Sequence, residues 1–359
     1  MWRDTELTRR LGITLPIVQA PMAGSTTPEM VAAVSEAGGL GSLGAAMMTP
    51  DAIRKAIRRV KSLTARPFNV NLFALTPPHV DAEAVRRGAE LMAIYRRELG
   101  LPEQPPLPNR LMEQFHEQAE AVLQEGVAVF SFTFGLPSAD WIGRFRKAGA
   151  AIVGTATHPA EAAALAEAGC DMVSAQGFEA GAHRGSFLKS FDEGQIGLMA
   201  LLPQVRRACR LPVLAAGGIM TGEGIAAALA LGAAGAQLGT AFLTTHESAA
   251  HPAHKAALPH AAEMGTEVTR VFSGRPARSL RNRMLRELQP HADRVPPYPA
   301  PLALNAQIYQ KARAEGLADF MSLWSGQGGA LCRTMGAGEL MARLAEETDQ
   351  AVASLAGRA

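Results

Sequence analysis

A single histidine stands among glycines in QGFEAGAHRG, residues 176–185, with Gly177, Gly181 and Gly185 around His183 and Glu179 and Arg184 close by. An imidazole titrates near neutrality in its ordinary state, so His183 is a candidate to take a proton or to hold an anion. Glu179 reads as a solvated loop carboxylate. A second group of residues suits phosphate. In LAAGGIMTG (214–222) Gly217 and Gly218 follow a strand-like run and precede a helix, and in AQLGT (236–240) Gly239 and Thr240 follow the next one. Bare backbone N–H groups at such turns bind phosphate oxygens. Phosphate substrates and flavin mononucleotide (FMN) both fit that description. QAPMAG (19–24) puts Met22 and Ala23 beside small residues that let a flat ring approach the backbone. Asn71 and Gln176 end two further strands with amides, able to donate and accept to a heterocycle's edge or to satisfy strand-end backbone.

These residues need a scaffold that brings strand ends together. Helix-then-strand units recur in EAGGLGSLG (36–44), KAGAAIVGTA (147–156), EAGCDMVSAQG (167–177) and ALGAAGAQLGT (230–240), each with glycine where a helix stops. With apolar runs at 15–22, 66–73, 127–135 and 211–218, the count reaches about eight βα units. The expected fold is α/β, a (β/α)8 TIM barrel with a helical cap or substrate subdomain, its chemistry on the loops after the strands. The barrel is expected over 1–75 and 126–245. Residues 76–125, opening on TPPHVD and crossing LPEQPPLPN, read as an inserted excursion after the third strand. Residues 246–330 read as helical segments around VPPYPAP that cap the barrel mouth, and 331–359 as an amphipathic helix returning to the barrel.

Composition narrows the partners. The chain has 359 residues, 35 basic and 33 acidic, a balance that offers no one-signed surface for nucleic acid or anionic membrane. Cys170, Cys209 and Cys332 are scattered and odd in number, which suits a reducing compartment, and the charged N-terminus lacks the apolar core of a signal peptide. The cytoplasm is the expected location. His251, His254 and His260 in HPAHKAALPH lack accompanying cysteines or a carboxylate pattern and read as a solvated helix, so no metal is expected. GxSxG and GxxxxGK[ST] motifs are absent, and no cysteine lies between Gly177 and Gln195 to serve as a thiol nucleophile.

Taken in order, QAPMAG, EAGGLGSLG, PFNVNLF, SFTFGLP, SAQGFEAGAHRG, LAAGGI, GAQLGTAF, FSGRPAR and WSGQG resemble the nitronate monooxygenases, once called 2-nitropropane dioxygenases, and class I of that family most. The resemblance runs through nearly the whole chain. It implies an FMN-dependent oxidoreductase that oxidises alkyl nitronates of the propionate 3-nitronate type with O2 to carbonyl compounds and nitrogen oxyanions, without NAD(P)H. It further implies His183 as the catalytic residue, and Met22, Ala23, Asn71, Gln176, Gly181, Gly217, Gly218, Gln237, Leu238, Gly239 and Thr240 as FMN contacts. Tyr298 and Tyr309 are candidates for the substrate side of the cap. A homodimer is compatible with this reading. Two departures stand out: Thr133 occupies the third position of SFTFG, where histidine is expected in class I, and Ala182 replaces a common glycine at the cost of a methyl group. FMN-dependent NAD(P)H:quinone reductases and enoyl-acyl carrier protein reductases share the scaffold and are the alternative.

Overall fold

A computed structural model of the chain describes residues 2–75, 81–106 and 111–357. Among the described residues eleven strands lie in two sheets: β1 Ile17–Gln19, β2 Gly41–Gly44, β3 Phe68–Phe73, β4 Val129–Thr133, β5 Ala151–Ala156, β6 Met172–Gln176, β7 Ala182–His183, β8 Val213–Ala216, β9 Gly235–Leu238, β10 Thr266–Thr269 and β11 Ala277–Leu280. The larger sheet is parallel, in the order β1-β9-β8-β6-β5-β4-β3-β2. A bridge between Val18 and Leu40 brings β2 back to β1, so the eight strands close into the expected (β/α)8 barrel.

Each strand is followed by a helix of the outer ring. These are Pro28–Glu36, Pro50–Leu63, Phe115–Glu125, Ala139–Lys147, Pro159–Glu167, Leu198–Ala208, Gly222–Ala230 and Ala337–Ala356. Threonine, serine or histidine caps several of their N-termini; Thr27, Thr49 and His158 each accept a backbone N–H just before a proline-led first turn. The last helix packs on Gly222–Ala230 and Pro28–Glu36, completing the ring after a long interruption. The cap is therefore inserted inside the eighth βα unit.

The stretch between β3 and β4 divides in two. Helix Phe115–Glu125 belongs to the barrel ring, where it packs on Pro50–Leu63. Helix Ala82–Glu98 belongs to the cap: Leu91, Met92, Tyr95 and Leu99 share a core with Val271, Phe272, Met284 and Ile308. Arg283 clamps Glu98 with two hydrogen bonds of 2.6 and 2.8 Å, and Tyr95 donates to Glu287 at 2.9 Å. Residues 76–80 and 107–109 of the expected turn and proline-rich segments lie outside the described residues.

The cap is not purely helical, as its sequence pattern suggested. β10 and β11 form an antiparallel hairpin, and β11 pairs with β7 through Ala277↔His183 and Arg278↔Ala182. The histidine segment thus sits on the edge of a small sheet supplied by residues about ninety positions later. Among the described residues no helix is long and apolar enough to cross a membrane.

Candidate active site

Strand alternation decides what the barrel axis contains. At the bottom, Val18, Leu40, Val129, Val153 and Leu214 fill the interior around Leu7 of the N-terminal helix. Further along, the lining turns polar on four neighbouring strands: Asn69 and Asn71 on β3, Ser131 and Thr133 on β4, Thr155 on β5, Ser174 and Gln176 on β6. Asn69 and Asn71 both donate to Ser131 Oγ at 2.9 Å. Above this layer a cavity of about 390 Å³ lies between the strand ends and the cap, the size and position expected of a ligand site in this fold.

On one side the cavity wall is backbone. Gly217 and Gly218 have φ of +115° and +73°, a region that side chains other than glycine rarely adopt. A Cβ on Gly217 would also meet Ala180 N at 3.0 Å. Gly218, Ile219 and Thr240 line the cavity, and among the described residues their N–H groups have no acceptor. Such a nest fits the phosphate of a cofactor. Thr240 Oγ1 accepts from Gly326 N at 2.9 Å, which ties this turn to the WSGQG segment.

On the opposite side the wall is side chain. The His183 ring lies 5.6 Å from Phe134 and 5.9 Å from Tyr298, both edge-on, and 5.4 Å from Trp324. Its Nε2 is 2.9 Å from Ser273 Oγ. The Ser273 hydroxyl also has Arg275 O as an acceptor at 3.2 Å and Arg275 N as a donor at 3.4 Å, so either side can donate in its contact with His183. Nδ1 has no hydrogen-bond partner among the described residues. Arg275 stacks over Phe134 at 4.1 Å from the ring centre and donates to Ser186 O. Burial, helped by the Arg275 charge, pushes the His183 pKa down to about 3. The imidazole is neutral at physiological pH.

The loop around His183 is held rather than loose. Gln176 donates to His183 O at 3.0 Å and accepts from Gly185 N at 2.9 Å, so its amide is committed to the loop backbone. Arg184, buried, donates to the carbonyls of Gln176, Gly177 and Gly194. Glu179 accepts from Leu198 N at 2.9 and 3.0 Å and caps the helix after β6, correcting its reading as a solvated carboxylate. The glycines serve close approach rather than unusual torsion: a Cβ on Gly181 would lie 2.5 Å from Gly326 N, and one on Gly185 2.7 Å from Thr155 Cγ2. The left-handed residue is Ala182, at φ +59°, so replacing glycine there costs more than a methyl group. Phe134 is also left-handed, at φ +77°; such strain concentrates at working sites.

Met22, Ala23, Asn71, Gln176, Gly181, His183, Gly217, Gly218, Gln237, Gly239 and Thr240 all line the cavity, as do Thr133, Tyr298 and Tyr309. Leu238 does not: strand parity turns its side chain into the core, and its carbonyl accepts from Ala20 N. Thr133 faces Thr155, with hydroxyls 3.3 Å apart. Burial pushes the Tyr298 phenol up to about 12, and Tyr309 donates to Phe272 O at 3.4 Å. The expected solvated histidine helix is instead part of the wall. His254 is buried with Nε2 3.0 Å from Trp324 O, and His251 accepts from Ala253 N to cap its helix. Ser273, Arg275, Phe134 and Trp324 were not singled out by sequence reading, although each lies in a motif that it quoted.

Comparison with known proteins agrees with the architecture. A family model described as nitronate monooxygenase matches residues 4–347. A probable nitronate monooxygenase of Staphylococcus haemolyticus is 42% identical over 349 residues, covering 97% of this chain and 98% of the relative. The solved structure of a nitroalkane oxidase from Streptomyces ansochromogenes superposes with a TM-score of 0.90 at 44% identity, covering 97% of this chain and 99% of that one. FabK from Thermotoga maritima is more distant, with a TM-score of 0.78 at 29% identity and 99% of each chain covered.

Proposed function

This chain belongs to the nitronate monooxygenase family, and from that premise we propose that it binds FMN in the barrel-mouth cavity and oxidises alkyl nitronates, of the propionate 3-nitronate type, with O2. The observation that carries the reading is the meeting of two unlike walls: free backbone N–H groups at Gly218, Ile219 and Thr240, and a neutral imidazole at His183 enclosed by Phe134, Tyr298 and Trp324. When bound, FMN supplies the redox chemistry, accepting electrons from the nitronate and delivering them to oxygen.

The chain's own residues do the rest. Gly217 and Gly218, with Gly239 and Thr240, hold the phosphate, and Asn71 offers its side-chain carbonyl to the ring while its NH2 is occupied by Ser131. Ser273 orients the His183 ring through its contact with Nε2, making the serine a positioning residue. Arg275 lies behind the aromatic wall, over Phe134, and its charge helps keep the imidazole neutral. The depressed pKa of His183 makes it a weak base, because proton abstraction works best when the base's pKa lies near the working pH. The site therefore suits a substrate that arrives ionised, as a nitronate, better than its neutral nitroalkane. The aromatic enclosure keeps water from the reacting carbon.

A second reading has its own observation. The neutral imidazole of His183 can accept a proton from a neutral nitroalkane, the activity class named for the Streptomyces relative. Anaerobic titration of the yellow protein separates the readings. Flavin reduction by propionate 3-nitronate, with little response to nitroethane or NADH, supports the nitronate reading. Equal reduction by nitroethane supports the second, and bleaching by NADH alone overturns both in favour of a nicotinamide-dependent reductase.

A further inference from the structure

A second cavity, of about 270 Å³, lies behind the wall that Tyr298 contributes to the reaction chamber; Tyr298 lines both. Four of its lining residues are cationic, Arg184, Lys189, Arg270 and Arg275, and none is a carboxylate. The nearby carboxylates offset part of this charge, that of Glu161 reaching Arg184 and Arg275. Glu161 accepts from the backbone N–H groups of Thr157, Phe187 and Leu188, and Glu193 takes Lys189 together with Ser190. The Arg270 and Arg275 charges repel one another. The Arg270 guanidinium has no hydrogen bond or ion pair among the described residues. Arg184, 2% exposed, keeps a buried Nε without a partner. Crowded like charges are unfavourable unless an anion joins them. Phe191, Pro276 and Pro297 complete the lining with apolar surface.

We propose that this cavity binds a small organic oxyanion, a monophosphate or a carboxylate, with its charge between Arg270 and Arg275 and its organic part against Phe191, Pro276 and Pro297. The volume exceeds what one inorganic oxyanion fills and is smaller than the main cavity. The ligand is therefore separate from the FMN and nitronate proposed for the main chamber.

Calorimetric titration of the FMN-saturated protein with phenyl phosphate, benzoate and neutral benzyl alcohol tests the site. The expected result is saturable binding of one or both anions and none of the alcohol. A response to phenyl phosphate alone assigns a phosphate ligand; a response to benzoate assigns a carboxylate. Arg270→Ala should weaken anion binding about tenfold, the loss of one charge-assisted contact, and Arg270→Lys should restore part of it. Arg270 is exposed, so the variant is expected to keep the wild-type unfolding midpoint and flavin content. Absence of saturable anion binding, equal binding of the alcohol, or anion binding unchanged in Arg270→Ala would each overturn the proposal. The comparison between wild type and variant holds even if the protein takes up no FMN.

Discussion

The two walls of the active-site cavity are built by different means. The wall after β8 and β9 is backbone: glycines in left-handed torsion and N–H groups left free by a strand-to-helix turn, all within residues 217–240. The wall around His183 is side chain, assembled from residues 134, 183, 273, 275, 298 and 324. A phosphate needs donors at one spot, which a short turn can supply. An imidazole needs a fixed orientation, a nearby charge and exclusion of water, and these come from surfaces that meet only after the cap has folded. The difference teaches where a barrel of this kind can vary: on the proposed reading the backbone wall constrains the cofactor, and the cap decides what is done with it.

The largest expected effect breaks the backbone wall alone. Gly217→Val places a β-branched side chain at φ +115° against Ala180 N. Strain of about 1–3 kcal/mol should weaken FMN binding by roughly tenfold or more, read as flavin lost on gel filtration with the fold retained by circular dichroism. Next comes the support of the opposite wall. Ser273→Ala removes the side-chain partner of His183 Nε2. With flavin content unchanged, kcat should fall about tenfold, near 1.4 kcal/mol, with little change in KM. Ser273→Thr should recover much of it; a purely structural role would lower thermal stability without this split.

A subtler change sharpens the electrostatic side of the comparison. The Arg275 charge helps burial hold the imidazole pKa down. Arg275→Leu should therefore raise the His183 pKa, followed by the imidazole carbon–proton resonances across a pH series. An unmoved resonance would remove Arg275 from the account. The smallest effect is on stability. His183 and His254 have folded-state pKa values pushed down, to about 3 and about 4, from an ordinary 6.5. The unfolded chain then binds protons that the folded one refuses, so their contribution is present above pH 6.5 and is lost as pH falls towards 4 and 3. Denaturant midpoints should decline from pH 7 to pH 5, and the decline should lessen in His254→Gln.

Much of the barrel was legible because each strand's identity is local. Every one of the eight barrel strands falls inside an apolar run that the sequence marks, and glycine turns after Ala216 and Leu238 mark the strand ends. Strand parity was legible too, and would have separated Gln237, which faces the cavity, from Leu238, which faces the core. The β10–β11 hairpin was not, because TEVT and ARSL carry little apolar alternation and form a sheet only with β7 as partner. The role of Gln176 was ambiguous for a related reason: an amide at a strand end serves a ligand or the backbone equally well, and only the folded loop shows it bonded to His183 O and Gly185 N. Ser273, ninety residues from His183, gives no local sign of the contact.

The central claim, that one wall holds the cofactor while the other turns over substrate, is tested most directly in His183→Ala. Flavin content and oxygen consumption with propionate 3-nitronate are measured on the same preparation. The expected result is wild-type flavin content with turnover reduced about 10²-fold or more. Flavin and turnover falling together, or turnover persisting near the wild-type rate, would contradict it.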